Sequence, residues 1–192
     1  MIYGRDAAGR FVLVPDADGT VWAPDWPVVM LTFAATQAYA AWRGARDGLP
    51  LRLPYELEWV QAARGADRRV HVWGTDAFDP TWCRVYLSTE GPGLPASVHD
   101  HGCDRSPVGV RGLAGNVCEI CQDVFRPGGP PVDGGRWEPV EAPAGARSVR
   151  GGHWNAAPDK SRICRRGGVS EGNRSALTGF RLACSLETLR GR

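Results

Sequence analysis

Cys118-Glu119-Ile120-Cys121 is the grouping in this chain with the most chemistry open to it. Two thiols three residues apart can cycle through a disulfide or supply half of a zinc site. No second pair at that spacing exists, although Cys83, Cys103 or a histidine could complete four ligands. The favoured reading is plainer: small core residues on a turn beneath loops, open to a disulfide. The histidines His71, His99, His101 and His153 are scattered, and no His-x-x-x-His-x-Glu is present. His99-Asp100-His101 has the donor types for a metal, yet a solvated turn fits it better.

The stretch Val149–Ala183 is informative in a different way. It opens with Arg150-Gly151-Gly152-His153-Trp154-Asn155 and closes with Thr178-Gly179-Phe180-Arg181-Leu182-Ala183. Both ends combine glycines, which allow close backbone approach, with aromatic and aliphatic residues suited to a core. Between them small, polar and charged residues follow no period of 2 or 3.6, so neither a buried strand nor an amphipathic helix is indicated. A stiff frame around an irregular polar insert is a common way to build a binding surface.

Composition limits the elements that must position these residues. With 192 residues, 43% hydrophobic and 23% charged, the chain reads as one soluble globular domain spanning 1–192. Gly 25 and Pro 15 point to many turns and loops, and eight tryptophans to large anchors beneath them. A net charge of +2 without a polybasic run argues against a nucleic-acid partner. The start Met1-Ile2-Tyr3-Gly4-Arg5-Asp6 has no apolar export core, and no apolar run is long enough to span a membrane. A cytoplasmic setting with reduced thiols is the corresponding expectation.

Along the chain, Phe11–Val14 reads as a strand, Asp16–Gly19 as a hairpin turn and Thr20–Trp22 as the returning strand. Pro27–Leu31 reads as a short buried strand. Thr32 is suited to N-cap a helix over about 33–46, with Phe33, Ala38, Ala41, Trp42 and Ala45 as its apolar face and Gly48 as its stop. A second helix is expected over about 55–64, burying Leu57, Trp59, Val60 and Ala63, with Glu56 and Glu58 at its positive end and Gly65 beyond it. From Arg68 on, only short strands are expected, at Val70–Trp73, Val149–Arg150 and Gly179–Cys184, with 126–146 as a surface loop. Arg150 and Arg181, at strand ends, suit pairing with acids or loop carbonyls. Two helices and a small twisted antiparallel sheet among many loops make an α+β layout.

These residues resemble one family. Pro27-Val28-Val29 precedes a helix containing Ala40-Ala41-Trp42. Leu53-Pro54-x-Glu56-x-Glu58-Trp59, Ala62-Ala63-Arg64-Gly65 and Trp73-Gly74 follow in order. Then come Ser106-Pro107-x-Gly109-Val110-Arg111-Gly112-Leu113-Ala114-Gly115-Asn116-Val117, Arg150-Gly151-Gly152-x-Trp154-Asn155 and Gly179-Phe180-Arg181. Spread over 26–183, they resemble the sulfatase-modifying-factor or formylglycine-generating-enzyme-like domains, which implies a C-type-lectin-like fold. Cys118 stands where that family often has tryptophan.

What the resemblance implies about activity divides several ways. Its oxidases use copper, held by two cysteines shortly after the Gly-Gly motif, and soft thiolates suit Cu(I). Here those positions fall near Ala156 and Ser161, and Cys164 lacks a partner at the required spacing. An iron-dependent branch, the sulfoxide-forming oxygenases, builds its metal site with a separate helical domain. On these grounds the chain is expected not to be an enzyme, and a copper- or iron-dependent oxidase using Cys164, Cys118 or Cys121 is the alternative. The family also implies calcium at Gly115–Glu119: Asn116, a Val117 carbonyl and Glu119 supply hard oxygens, and an equally good reading has Asn116 and Glu119 bonding loop backbone. A further subset comprises the variable proteins of diversity-generating retroelements, diversified between the Gly-Gly and Gly-Phe-Arg motifs. The corresponding window, 150–183, contains His153, Asn155, Ala156, Ala157, Lys160, Ser161, Ile163, Arg165, Gly168, Val169, Ser170, Asn173, Ser175 and Ala176. The leading expectation is a ligand-binding protein with this diversifiable surface, taking a protein or small-molecule ligand. Resemblance to domains attached to bacterial serine/threonine kinases adds a sensor module as another alternative.

Overall fold

The computed structural model describes all residues except 1, 76, 89–92, 101, 135, 138–143 and 186–192. Its centre is a seven-residue strand, β3 (Cys118–Val124), with all but two of its residues buried. The outer strands are named in chain order: β1 (Tyr3–Arg5), β2 (Phe11–Leu13), β4 (Val132–Asp133), β5 (Arg136–Trp137), β6 (Arg147–Arg150), β7 (Arg166–Val169) and β8 (Thr178–Gly179). The main sheet has the order β7-β6-β3-β8; β6 is antiparallel to both β3 and β7, while β8 is parallel to β3. β1 with β2, and β4 with β5, form separate two-stranded ribbons.

Two helices cover this sheet. In α1 (Phe33–Asp47) the Thr32 hydroxyl accepts from the Ala35 N–H at 3.2 Å, and Gly48, with φ 65°, ends the helix. In α2 (Glu56–Arg64) the Glu58 carboxylate reaches back to the Tyr55 N–H at 2.8 Å, half of a capping box. The expected ends of both helices therefore stand, whereas their buried faces differ. α1 buries Phe33, Thr36, Ala40 and Gly44, and leaves Ala38, Ala41 and Ala45 exposed and Trp42 55% exposed. The small residues decide this orientation: a Cβ on Gly44 would run into the Leu49 backbone. α2 buries Trp59 and Ala63 as expected, and also Glu56.

Glu56 is an acid with no water, and three elements meet on it. Its carboxylate accepts from Ser148 Oγ at 2.9 Å and from Arg166 Nε at 2.6 Å, and it lies 2.9 Å from Arg150 Nε. Arg150 also donates to the carbonyls of Ile163 and Arg165. The Glu56 N–H itself donates to the Asp123 carboxylate on β3. Burial alone would raise the Glu56 pKa, but the two guanidiniums and the Ser148 hydroxyl outweigh it and hold the acid below its ordinary value. Thus Glu56 joins α2 to β3, β6 and β7.

Several expected elements take another form. Thr20–Trp22 does not return as a strand; β2 pairs instead with β1, Tyr3 opposite Leu13. Pro27–Leu31 is irregular, since Met30 is left-handed (φ 62°) and its N–H bonds the Ser175 carbonyl. Val70–Trp73 is a tight turn closed by a His71–Gly74 bridge, and of 179–184 only Gly179 lies in a strand. The Pro/Gly-rich 126–146 region carries the β4–β5 ribbon. Cys118 and Cys121 lie on β3 rather than on a turn, and every cysteine in the chain is free. A separation of three puts side chains on opposite faces of a strand: Cys118 packs with Phe33 and Ile120, Cys121 with Trp59 and Leu113. They cannot bridge one another or chelate one metal.

Two tests follow from these buried acids. Glu56→Gln strands Arg150 and Arg166 without a counter-charge, so urea unfolding should show a loss of about 3–5 kcal/mol; a loss under about 1 kcal/mol would mean the cluster behaves like an exposed pair. Asp104 accepts the N–H groups of Leu113, Ala114 and Gly115, yet burial pushes its carboxyl up to about 6 from an ordinary 3.8. The unfolded chain then loses this proton first, so the group's stabilisation is complete below 3.8 and disappears as pH rises through 6. Carbon-13 NMR should place the Asp104 midpoint near 6, and a midpoint at or below the ordinary value contradicts this.

Candidate functional site

The 150–183 segment leaves the sheet at the end of β6, returns to its edge as β7 and crosses to its other edge at β8. At its start Gly151 takes φ 79°, and a Cβ there would sit 2.9 Å from the Leu113 carbonyl. A Cβ on Gly152 would strike the Ala114 carbonyl. The Gly-Gly motif therefore presses directly on the backbone ahead of β3, as the close-approach reading required. Trp154 is the next anchor. Its N–H donates to the Asn116 carbonyl at 2.8 Å, and its indole Nε1 donates to the Ala176 carbonyl at 3.1 Å. That second bond brings the beginning of the segment beside its end.

Between these anchors the backbone is tied at intervals. The Tyr86 N–H donates to Ala156, the Ile163 N–H to Val70, the Phe33 N–H to Glu171 and the Met30 N–H to Ser175. A short 3-10 turn occupies Pro158–Ser161, and β7 pairs with β6 over four residues. The insert is thus more regular than its lack of period suggests. Its β7 residues, Arg166-Gly167-Gly168-Val169, carry too few apolar side chains to announce a strand.

Side chains in the segment divide into two groups. Asn155, Ala157, Lys160 and Ser170 are exposed, and Asn173 and Ser175 are half-buried. Ala156 (4%), Ser161 (1%) and Ile163 (1%) point inward, which corrects their assignment to a tolerant surface. Ser161 Oγ donates to the Pro158 carbonyl at 2.6 Å and lies 3.2 Å from His71 Nδ1, while the His71 ring stacks on Trp73. Ile163 fills the core around Trp59 and Val72. Gly168 is exposed, but a Cβ there would come within 2.6 Å of the Phe125 ring, so it too is constrained. Val169 and Ala176 pack partly against core clusters. Arg165 donates to the Gly151 carbonyl at 2.7 Å. His153 is half-buried with its Nδ1 unbonded, and burial, reinforced by Arg165, lowers its pKa.

The side-chain oxygens named for calcium are already engaged. Asn116, left-handed at φ 67°, clamps Ala96 by accepting its N–H at 3.0 Å and donating to its carbonyl at 2.9 Å. Glu119 accepts from Trp59 Nε1 at 2.7 Å and from Arg181 Nε and Nη2 at 2.5 Å. Val117 is buried between them. The residues fit a protein-bonded loop better than a cation cage, because each side-chain oxygen already has a donor. The sequence pointed to acid partners for Arg150 and Arg181; it gave no sign that Arg150 shares Glu56 with Arg166, since a glutamate in a helix's first turn ordinarily faces water.

Thiols are equally dispersed. Cys164 is exposed, Cys83 and Cys121 are buried, and burial pushes the Cys121 thiol well above its ordinary pKa, which disfavours the thiolate. Among the described residues no three His, Cys, Asp or Glu side chains gather as a metal site. His101, and with it the His99-Asp100-His101 grouping, lies outside the described residues. No helix among them is long and apolar enough to cross a membrane.

Comparison with known proteins gives this geometry a context. Residues 15–186 match the sulfatase-modifying factor enzyme 1-like domain. The chain is 35% identical over 176 residues to hercynine oxygenase of Mycolicibacterium thermoresistibile, covering 85% of this chain and 37% of that protein. It is 30% identical over 207 residues to formylglycine-generating enzyme of Thermomonospora curvata, covering 91% and 61%. The chain thus spans under two thirds of either relative. Treponema denticola variable protein 1 superposes with a TM-score of 0.68 at 20% identity, covering 89% of this chain and 77% of that one, a likeness of fold. The expectation that the chain is not an enzyme is overturned here, because relatives at this identity are named as enzymes. The absent cysteine pair had suggested otherwise, but one pair of thiols does not define the family's enzymes. Sequence match and C-type-lectin-like architecture agree: this chain belongs to the sulfatase-modifying factor enzyme 1-like, or formylglycine-generating-enzyme-like, family.

Proposed function

We propose that this chain is a ligand-recognition domain that presents a diversifiable face on its C-type-lectin scaffold, as the variable proteins of diversity-generating retroelements do. One observation carries the reading. Over 153–176 the backbone is pinned to the frame by Trp154, Ile163 and Ser175, while Asn155, Ala157, Lys160 and Ser170 project into solvent. Exchanging such side chains leaves the fold nearly untouched, since exposed positions away from caps and cores usually change stability by under about 0.5 kcal/mol. Asn173 and Ser175, brought near His153 by the Trp154–Ala176 bond, extend the face. The ligand is a protein or a small molecule held on this shallow patch. Recognition of this kind also suits a domain working within a larger enzyme, and the chain spans only 37% of the hercynine oxygenase it matches.

Two measurements bear on the reading. Asn155→Tyr and Lys160→Tyr should leave the unfolding free energy within about 0.5 kcal/mol, whereas Ile163→Asn should cost about 3 kcal/mol or more by leaving a buried amide and a poorly filled core. Deep sequencing of the locus across one population should find substitutions concentrated at codons 155, 157, 160, 170 and 173, and sparse at 161 and 163. A near-identical adenine-rich template should lie beside a reverse-transcriptase gene. Evenly spread substitutions, or a locus without that template, would defeat the proposal.

A further inference from the structure

A cavity of about 630 Å³ opens between the 26–35 segment, α1 and residues 180–182, away from the 153–176 face, none of whose residues line it. Its size is that of an ordinary small-molecule site. Trp26, Leu31, Tyr39 and Phe180 supply apolar and aromatic walls. Arg84 also lines it, and this arginine is only 8% exposed. Its Nε donates to the Leu94 carbonyl at 2.6 Å. Its two Nη groups have no hydrogen-bond acceptor and no ion-pair partner among the described residues.

The other charges around the cavity are accounted for differently. Arg181 is neutralised by Glu119, and the Asp104 carboxyl is taken by three backbone N–H groups. Asp100 and Arg111 are both exposed, and Asp100 acts on Arg84 through space without a hydrogen bond. Arg84 is therefore the one buried charge there with no hydrogen-bonded or ion-paired acid among the described residues, Asp100 attracting it only through space. Its position is also fixed: a Cβ on Gly115 would collide with the Arg84 backbone, and the Arg84 carbonyl accepts the Asn116 N–H at 2.8 Å. A guanidinium held still in a largely apolar recess loses hydration and recovers it best from an anion of matching shape.

We propose that this cavity binds a small organic monocarboxylate with an aromatic or branched apolar body. The two Nη groups of Arg84 take the carboxylate side by side, as the planar guanidinium fork allows, and the body lies against Trp26, Leu31, Tyr39 and Phe180. A dianion is disfavoured because Asp100, Asp104 and Glu119 surround the same space. This site is separate from the face of 153–176 and stands whether or not that face is diversified.

Calorimetry and two-dimensional NMR on the full chain test it, with phenylacetate and indole-3-acetate as probes and 2-phenylethanol and phenylphosphonate as controls. Both acids should bind saturably at millimolar concentration or below, shift the Trp26 indole resonance, and bind more tightly than either control. Arg84→Gln should weaken the acids by about tenfold or more, as expected when a charge-assisted pair is lost. Tyr39→Ala should weaken them severalfold without altering the fold, because Tyr39 is 40% exposed, and it serves should Arg84→Gln not fold. Failure of both acids to bind, equal binding of 2-phenylethanol, preference for phenylphosphonate, or unchanged affinity in a folded Arg84→Gln or Tyr39→Ala variant would each overturn the assignment.

Discussion

A carboxylate removed from water cannot stand alone, and the architecture of this domain is arranged around that constraint at Glu56. The acid sits at the start of α2 with essentially no exposure, and its two oxygens are met by Arg150 of β6, Arg166 of β7 and Ser148 of β6. Asp123 of β3 accepts the N–H of the same residue. Taking these charges from water costs several kcal/mol each, so the cluster is weak evidence for net stability. It is strong evidence for specificity. Shifting α2 by one residue against the sheet, or slipping β7 along β6, would leave a buried charge without a partner.

The same device recurs wherever regular structure is short. Arg181 holds Glu119 and also donates to the carbonyls of Arg111 and Gly112, locking the chain after β8 onto the loop before β3. Arg147 is buried on β6, pairs with Glu171, and lies 4.1 Å from the Phe33 ring centroid. Strands of two to four residues offer few ladder hydrogen bonds, so long loops need other fixtures. Arginine suits the task because one rigid fork can satisfy a carboxylate and loop carbonyls together. The loops become stiff without becoming regular, which is the condition for displaying Asn155 or Lys160 in fixed positions.

The two recognition sites proposed on this frame differ in kind. Over 153–176 the exposed side chains, Asn155, Ala157, Lys160 and Ser170, are ones the core does not use. The Arg84 cavity is a recess open to solvent, largely apolar, with the Arg84 backbone packed against Gly115. The first, as proposed, would change its preference through substitution alone. The second would have a chemistry set by one buried cation, Arg84, whose Nε also holds the loop carrying Leu94.

Local signals were legible without a structure. Thr32 and Gly48 bound α1, Gly65 ends α2, Phe11–Leu13 is a strand, and the Gly151-Gly152 approach follows from residues acting on their immediate neighbours. β3 was not legible, because a strand buried on both faces has no alternation and its Cys-x-x-Cys spacing mimics a ligand pair. Nor was the face of α1, where Thr36 and Gly44 go inward and Trp42 outward, and where the 49–51 backbone leaves no room for a Cβ at Gly44. By itself the sequence determined which stretches could be helix, cap, frame or insert, and which family the chain belongs to. Only the tertiary structure decided that Ser161 and Ile163 face the core while Asn155 and Lys160 do not, and that Glu56 and Arg84 are buried. Burial depends on contacts between residues far apart in the chain, and no local pattern encodes them.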